Sequence, residues 1–145
     1  MHESIGKEVK ILSNLINRYI TNMSNFQKAQ QATSSNTWII AYLIRNKDQD
    51  VFQKDLEKAF SITRSTTSKV IKLMEQKELI KREPVTYDRR LKKLILTDKA
   101  YELYHHVKAE YQQLETLLTQ NISKADKKLL IDLLKQLQTN MKETM

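Results

Sequence analysis

Two short stretches of this 145-residue chain hold most of the side chains suited to recognition chemistry. In Thr63-Arg64-Ser65-Thr66-Thr67-Ser68-Lys69, short hydroxyls stand among cations. In Asp88-Arg89-Arg90-Leu91-Lys92-Lys93, one acid precedes four cations. From Arg64 to Lys93 ten Lys/Arg face four Asp/Glu, so thirty residues carry +6 of the net +8. Charge concentrated in this way suits docking on a polyanion, either nucleic acid or a membrane surface. Arg64 or Lys69 can donate to phosphate or to guanine O6 and N7, and the Thr66 methyl can meet a thymine methyl.

Other chemistries find little support. The chain has no Cys, which excludes thiolate nucleophiles, cysteine zinc sites, iron–sulfur clusters and thiol redox sensing. Its one glycine, Gly6, cannot build a Gly-rich phosphate cradle. His105 and His106 are adjacent, so on a helix they point about 100° apart and cannot share a metal as an i,i+4 pair would. Glu102 could add a ligand to one of them, but no metal or other cofactor is expected. No Ser or Thr has a nucleophile's setting and no acid pair stands out, so the chain does not read as an enzyme. The longest apolar run, Trp38–Ile44, is far short of the ~20 residues of a membrane span. The N-terminus shows no signal-peptide pattern, and a cytoplasmic protein is expected.

The elements that must position the two basic stretches are mostly helical. One Gly and one Pro stand where average usage of ~7% and ~5% would give about ten and about seven. The length suits one domain, residues 1–145. Ile5, Val9, Leu12, Ile16, Tyr19 and Met23 recur at alternating four- and three-residue steps, the seam of a helix reaching to about residue 31. That seam serves either the chain's own core or a dimer. A helix around Trp38–Leu43, apolar nearly all round, is expected to be interior, with a cap within Thr33–Asn36. Val51-Phe52 reads as a very short strand. A helix with Leu56, Ala59 and Phe60 on its apolar face follows. After it comes a turn at Ser61-Ile62 with Ile62 buried, then a helix over about 64–77 capped by Thr63. Two strands, Leu79–Glu83 and Leu91–Leu96, form a hairpin over about 79–96, its basic loop running from Pro84 to Arg90. Thr97 caps a helix to about Gln120, and Ser123 begins a last helix carrying Leu129, Leu130, Leu133, Leu134, Leu137 and Met141.

The order of these elements, the run Gln53–Leu56 through Lys69, and the pattern D-x-R-x-x-x-L-x-L-T met by Asp88, Arg90, Leu94, Leu96 and Thr97 resemble the MarR (multiple antibiotic resistance regulator) family. The resemblance covers nearly the whole chain. It implies a mainly α fold, α+β by its small wing: a winged helix–turn–helix over about 33–97, with dimerisation helices over about 1–31 and 98–145. Ser61 and Glu78 stand where the family often has Gly, at places that can require positive φ. Glu57 stands where a small Ala is common.

What the resemblance implies about function is specific. The chain would be a sequence-specific regulator of transcription, a homodimeric repressor on pseudo-palindromic double-stranded DNA. Thr63, Arg64, Ser65, Thr66, Ser68 and Lys69 would form the recognition helix's contacts. Arg90 would enter the minor groove held by Asp88, with Arg89, Lys92 and Lys93 on phosphates. Ile5, Val9, Leu12, Leu133, Leu134 and Leu137 are the expected dimer contacts. A small-molecule effector could be lined by Tyr19, Trp38, Tyr42 and Tyr104, although aromatics at helical spacing are more often plain core. Two rivals remain at this point. One is a winged-helix interaction module without sequence-specific DNA binding; the other is a basic membrane-surface protein, whose charges should instead line one long helix.

Overall fold

The computed structural model describes residues 3–23 and 34–145, with side chains in the second helix described from Thr37 onward. In chain order the elements are α1 (Ile5–Thr21), α2 (Ser34–Arg45), α3 (Gln53–Phe60), α4 (Arg64–Gln76), β1 (Ile80–Val85), β2 (Asp88–Leu96), α5 (Asp98–Leu118) and α6 (Lys124–Lys142). This is a mainly helical winged helix–turn–helix fold. The chain forms two compact units that divide within α5, between Glu110 and Tyr111.

Ser4 caps α1 by accepting from the Lys7 N–H, and the helix stops at Thr21, well short of residue 31. The N–H groups of Asn22 and Met23 bond the carbonyls of Arg18, Tyr19 and Ile20, which tightens and ends the last turn. Residues 24–33 lie outside the described residues, and with them Thr33, one of the four residues that could cap α2. Ser34 is already helical. Only the C-terminal part of the α1 seam is buried: Ile20 and Met23 are inside, whereas Ile5, Val9, Leu12 and Leu15 are exposed. In α2, Ile39, Ile40, Ala41 and Leu43 are buried but Trp38 is 44% exposed, so the helix is not interior all round.

The helix–turn–helix is built from a short core and a left-handed turn. Leu56 of α3 and Ile71 and Met74 of α4 are fully buried, and Phe60 meets the Tyr42 ring edge-on at 5.7 Å. Ala59 is exposed and Ile62 only half-buried, contrary to expectation. Both lie next to the left-handed turn that Ser61 forms at φ 52°, ψ 46°. Thr63 caps α4 as expected, its Oγ1 accepting from the Thr66 N–H at 3.2 Å. Fully buried Thr67 donates its hydroxyl to the Thr63 carbonyl at 2.7 Å, satisfying itself inside the same turn.

The wing is an antiparallel hairpin whose connection is two residues, Thr86 and Tyr87, where the sequence suggested seven. Arg82 pairs with Leu94 and Pro84 with Lys92, but Val85 then pairs with Asp88, so Arg89–Leu91 have no opposite residues. Such a bulge raises local twist and re-aims side chains. No strand forms at Val51-Phe52; a single backbone bond, from the Leu94 N–H to the Val51 carbonyl at 2.8 Å, joins that segment to β2.

Thr97 closes the wing's base. Its hydroxyl donates to the carbonyl of Glu78 at 2.6 Å and accepts from the Ala100 N–H at 3.3 Å, capping α5. Glu78 sits at φ 60°, the left-handed conformation expected there. Lys99 donates to the Lys77 carbonyl at 2.8 Å, placing a cation at the negative end of α4. In the second unit, Leu114 is buried. Ser123 caps α6 through the Asp126 N–H at 3.0 Å, and Leu129, Leu130, Leu133 and Leu134 of that helix are exposed. No helix among the described residues is long and apolar enough to cross a membrane.

Candidate nucleic-acid interface

The exposed face of α4 carries Arg64, Ser65, Thr66, Ser68, Lys69 and Lys72, while Thr67, Ile71 and Met74 hold its other side in the core. The hydrophobic periodicity thus separates the functional face from the anchoring one. Thr63 is also exposed, but its hydroxyl is engaged at the helix start, where it also donates to the Thr66 hydroxyl at 2.9 Å.

α4 is held against α3 by Gln53. Its side-chain amide donates to the Ser68 hydroxyl at 3.1 Å, the Glu57 carboxylate at 3.2 Å and the Arg64 carbonyl at 3.4 Å. Ser68 therefore faces α3 in part, and Glu57 occupies the space that a small residue would leave open. Arg82 of β1 pairs with Glu75 of α4 at 2.9 Å and ties the wing to the same helix.

Arg90 and Asp88 form the arrangement expected of the wing motif. Arg90 Nε donates to Asp88 Oδ1 at 3.2 Å and Nη2 to Oδ2 at 3.1 Å, a bidentate pair, and the Arg90 N–H also reaches Oδ1 at 3.0 Å. These hydrogen bonds hold the Asp88 carboxyl below the usual carboxylate range, with the Lys54 charge helping; partial desolvation opposes them. The Arg90 side chain is 89% exposed despite being fixed at one side. Of the five guanidinium N–H donors, two serve Asp88 and three remain.

Between α4 and the wing lies a groove of about 500 Å³ that gathers Lys54, Arg64, Arg82, Arg90 and Lys92, with Glu57 as its one acid. Lys54 and Arg82 were not singled out from the sequence. Lys54 is far from Arg90 in the chain, and only the docking of the wing beside α3 brings the two together; Arg82 lies on the wing's other strand and pairs with Glu75 of α4. Arg89 is exposed on the bulge, and Lys93 turns away to pair with Asp50 at 3.6 Å. That part of the wing is fixed further by the Tyr87 hydroxyl, which donates to Asp50 at 3.0 Å.

The remaining expected residues lie elsewhere. Tyr19, Tyr42 and Tyr104 are half-buried and Trp38 is exposed. The three cavities described are lined by other residues. Ile5 is 65% and Leu133 53% exposed; Val9, Leu12 and Leu134 are also exposed, and Leu137 is half-buried. His105 and His106 place their rings 6.0 Å apart, and no metal-binding group of His, Asp or Glu occurs among the described residues.

A helix–turn–helix with a cation-lined groove beside a braced wing defines the class of winged helix–turn–helix regulators. The MarR family model matches residues 33–91. The chain is 32% identical to the transcription regulator MarR from Oenococcus oeni, over 92% of this chain and 98% of that one, with a TM-score of 0.79. Two more distant structures share the fold. Staphylococcus aureus MepR in complex with DNA is 20% identical, covering 95% and 96% of the chains with a TM-score of 0.82. A MarR protein of Peptoclostridium difficile is 19% identical, covering 99% and 91% with a TM-score of 0.82. The chain belongs to the MarR family of transcription regulators.

Proposed function

We propose that this regulator is a cytoplasmic homodimeric repressor that binds pseudo-palindromic duplex DNA in a sequence-specific manner. The observation that carries the reading is the clamped, outward-facing Arg90 across a cation-lined groove from the exposed polar face of α4. A helix entering the major groove and a wing at the neighbouring minor groove straddle one sugar–phosphate backbone, and this groove offers that backbone Lys54, Arg82 and Lys92. Arg64, Ser65, Thr66 and Lys69 read base edges, helped by Ser68. Lys54, Arg82, Arg89 and Lys92 hold phosphates, and Arg90 reads the narrow minor groove of A·T-rich flanks. Thr63 and Asp88 orient their neighbours. The DNA in the Staphylococcus aureus relative's structure supports the same use here.

A second copy covers the exposed apolar faces of α1 and α6, through Ile5, Val9 and Leu12 and through Leu133, Leu134 and Leu137. Two copies then place two recognition helices about one DNA turn apart. A small apolar effector bound near Tyr19, Trp38, Tyr42 and Tyr104 would modulate DNA affinity. The test is a salt titration of duplex binding by fluorescence anisotropy, with light scattering on the same sample. The expected result is a dimer whose affinity falls with salt at a log–log slope near −0.9 per phosphate neutralised, the slope shrinking in Lys54→Ala and Arg82→Ala. A monomer, or binding insensitive to salt and to both substitutions, refutes the reading.

A further inference from the structure

A two-stranded hairpin is marginally stable by itself and twists easily. The wing therefore needs a third support if Arg90 is to be held at a fixed reach. β1 flanks one edge of β2. Along the other runs the segment Asp50-Val51, where the Val51 carbonyl takes the Leu94 N–H at 2.8 Å. One residue earlier, the two oxygens of Asp50 are divided between two wing residues. Oδ2 accepts from the Tyr87 hydroxyl at 3.0 Å, and Oδ1 pairs with Lys93 Nζ at 3.6 Å.

Tyr87 occupies the two-residue turn and immediately precedes Asp88, which clamps Arg90. It is 64% exposed, so its attachment to the protein body is by its polar end and not by burial of its ring. Asp50 in turn lies three residues before Gln53, whose amide reaches the Arg64 carbonyl and the Ser68 hydroxyl. Hydrogen bonds thus join Arg90 to Asp88 and Tyr87 to Asp50, and short runs of backbone connect Tyr87 to Asp88 and Asp50 to Gln53, whose amide reaches α4.

From this connection we propose that Asp50 and Tyr87 are positioning residues that set the wing's reach relative to α4, so that Arg90 reads its base step without either of them touching DNA. The proposal rests on the reading of Arg90 as the minor-groove residue. The Tyr87 hydroxyl is suited to the role because it stays a donor. Its pKa is raised, first by lost hydration, then by the bond to Asp50 and the charges of Asp50 and Asp88.

The experiment compares Tyr87→Phe, Asp50→Asn, Arg90→Ala and the double variants Tyr87→Phe/Arg90→Ala and Asp50→Asn/Arg90→Ala. Binding is measured on two duplexes that share a site recovered from random sequence and differ only in A·T or G·C flanks. The expected result is a loss of about three- to tenfold on the A·T-flanked duplex for Tyr87→Phe and for Asp50→Asn, the range for one exposed hydrogen bond. The loss should be smaller on the G·C-flanked duplex, and each double variant should bind no more weakly than Arg90→Ala alone. Additive losses in the double variants would mean that Tyr87 or Asp50 acts independently of Arg90, and the proposal falls. Hydrogen exchange of the free protein supplies the second readout. Both single variants should exchange faster at the β2 amides while α4 keeps its protection. Unchanged exchange at β2 overturns the brace whatever the DNA shows. Faster exchange together with no flank preference in the unsubstituted protein keeps the brace and removes the minor-groove reading of Arg90.

Discussion

Replacing Arg90 with Ala separates recognition from folding more cleanly than any other single change. The Arg90–Asp88 pair is exposed on the guanidinium side, and ion pairs of that kind add little to stability. The melting temperature should stay nearly unchanged. Binding should not. Three free N–H donors project from a guanidinium already fixed by two hydrogen bonds, so little rotamer freedom remains to be lost on contact. A fixed arginine of this kind contributes about 1–3 kcal/mol per base contact, or about 5- to 150-fold in affinity per site. The assay is anisotropy on the paired A·T- and G·C-flanked duplexes at several salt concentrations. The loss should be largest with A·T flanks, where the minor groove is narrow and its potential most negative. An equal loss on both duplexes, with the salt slope reduced by about 0.9 per copy, would show that Arg90 only touches phosphate. A large fall in melting temperature would refute the separation itself.

Three further outcomes follow from the geometry. Glu78→Gly should raise stability by about 0.5–1 kcal/mol in chemical denaturation, because a left-handed residue with a Cβ is strained by about 1–2 kcal/mol and glycine's extra chain entropy returns only part of this; a lowered midpoint would contradict the strain. Thr97→Val should destabilise by about 1–2 kcal/mol in the same measurement, through loss of both the α5 cap and the bond to the Glu78 carbonyl, and an unchanged midpoint would mean that water replaces both. Because the folded pKa of Asp88 is depressed, its contribution is complete above the ordinary carboxylate pKa near 4 and is lost only as pH falls through the lower folded value; carboxyl NMR titration should place the Asp88 transition below that of a free aspartate, and a transition at or above the free value would contradict the clamp.

Much of the interface is legible in the sequence because its parts are local. Thr63 three residues before Thr66, and Asp88 two before Arg90, make their bonds within one turn or one bulge. The Thr63 cap follows from its place before α4, and the Asp88–Arg90 pair is what the resemblance to the wing motif implies. The left-handed positions Ser61 and Glu78 are legible through the resemblance, because they stand where the family often has Gly. The parts not legible are those that tertiary docking assembles. Lys54, Arg82 and Asp50 are ordinary surface charges in sequence, and only the wing's packing makes them groove walls or a brace. In sequence the hairpin connection reads as seven residues, Arg89 and Arg90 among them. The bulge instead keeps them in β2 while leaving them unpaired. The end of α1 is set by backbone bonds at Asn22 and Met23, which the continuing apolar repeat conceals.

The central claim is sequence-specific binding by two copies. Its most direct test is selection of bound duplexes from a random-sequence pool at near-physiological salt, read by sequencing. The account predicts an enriched inverted repeat with half-sites about 10 bp apart and A·T-rich flanks. Bulk binding without any enriched sequence would contradict it, leaving a basic surface that holds DNA but does not read it.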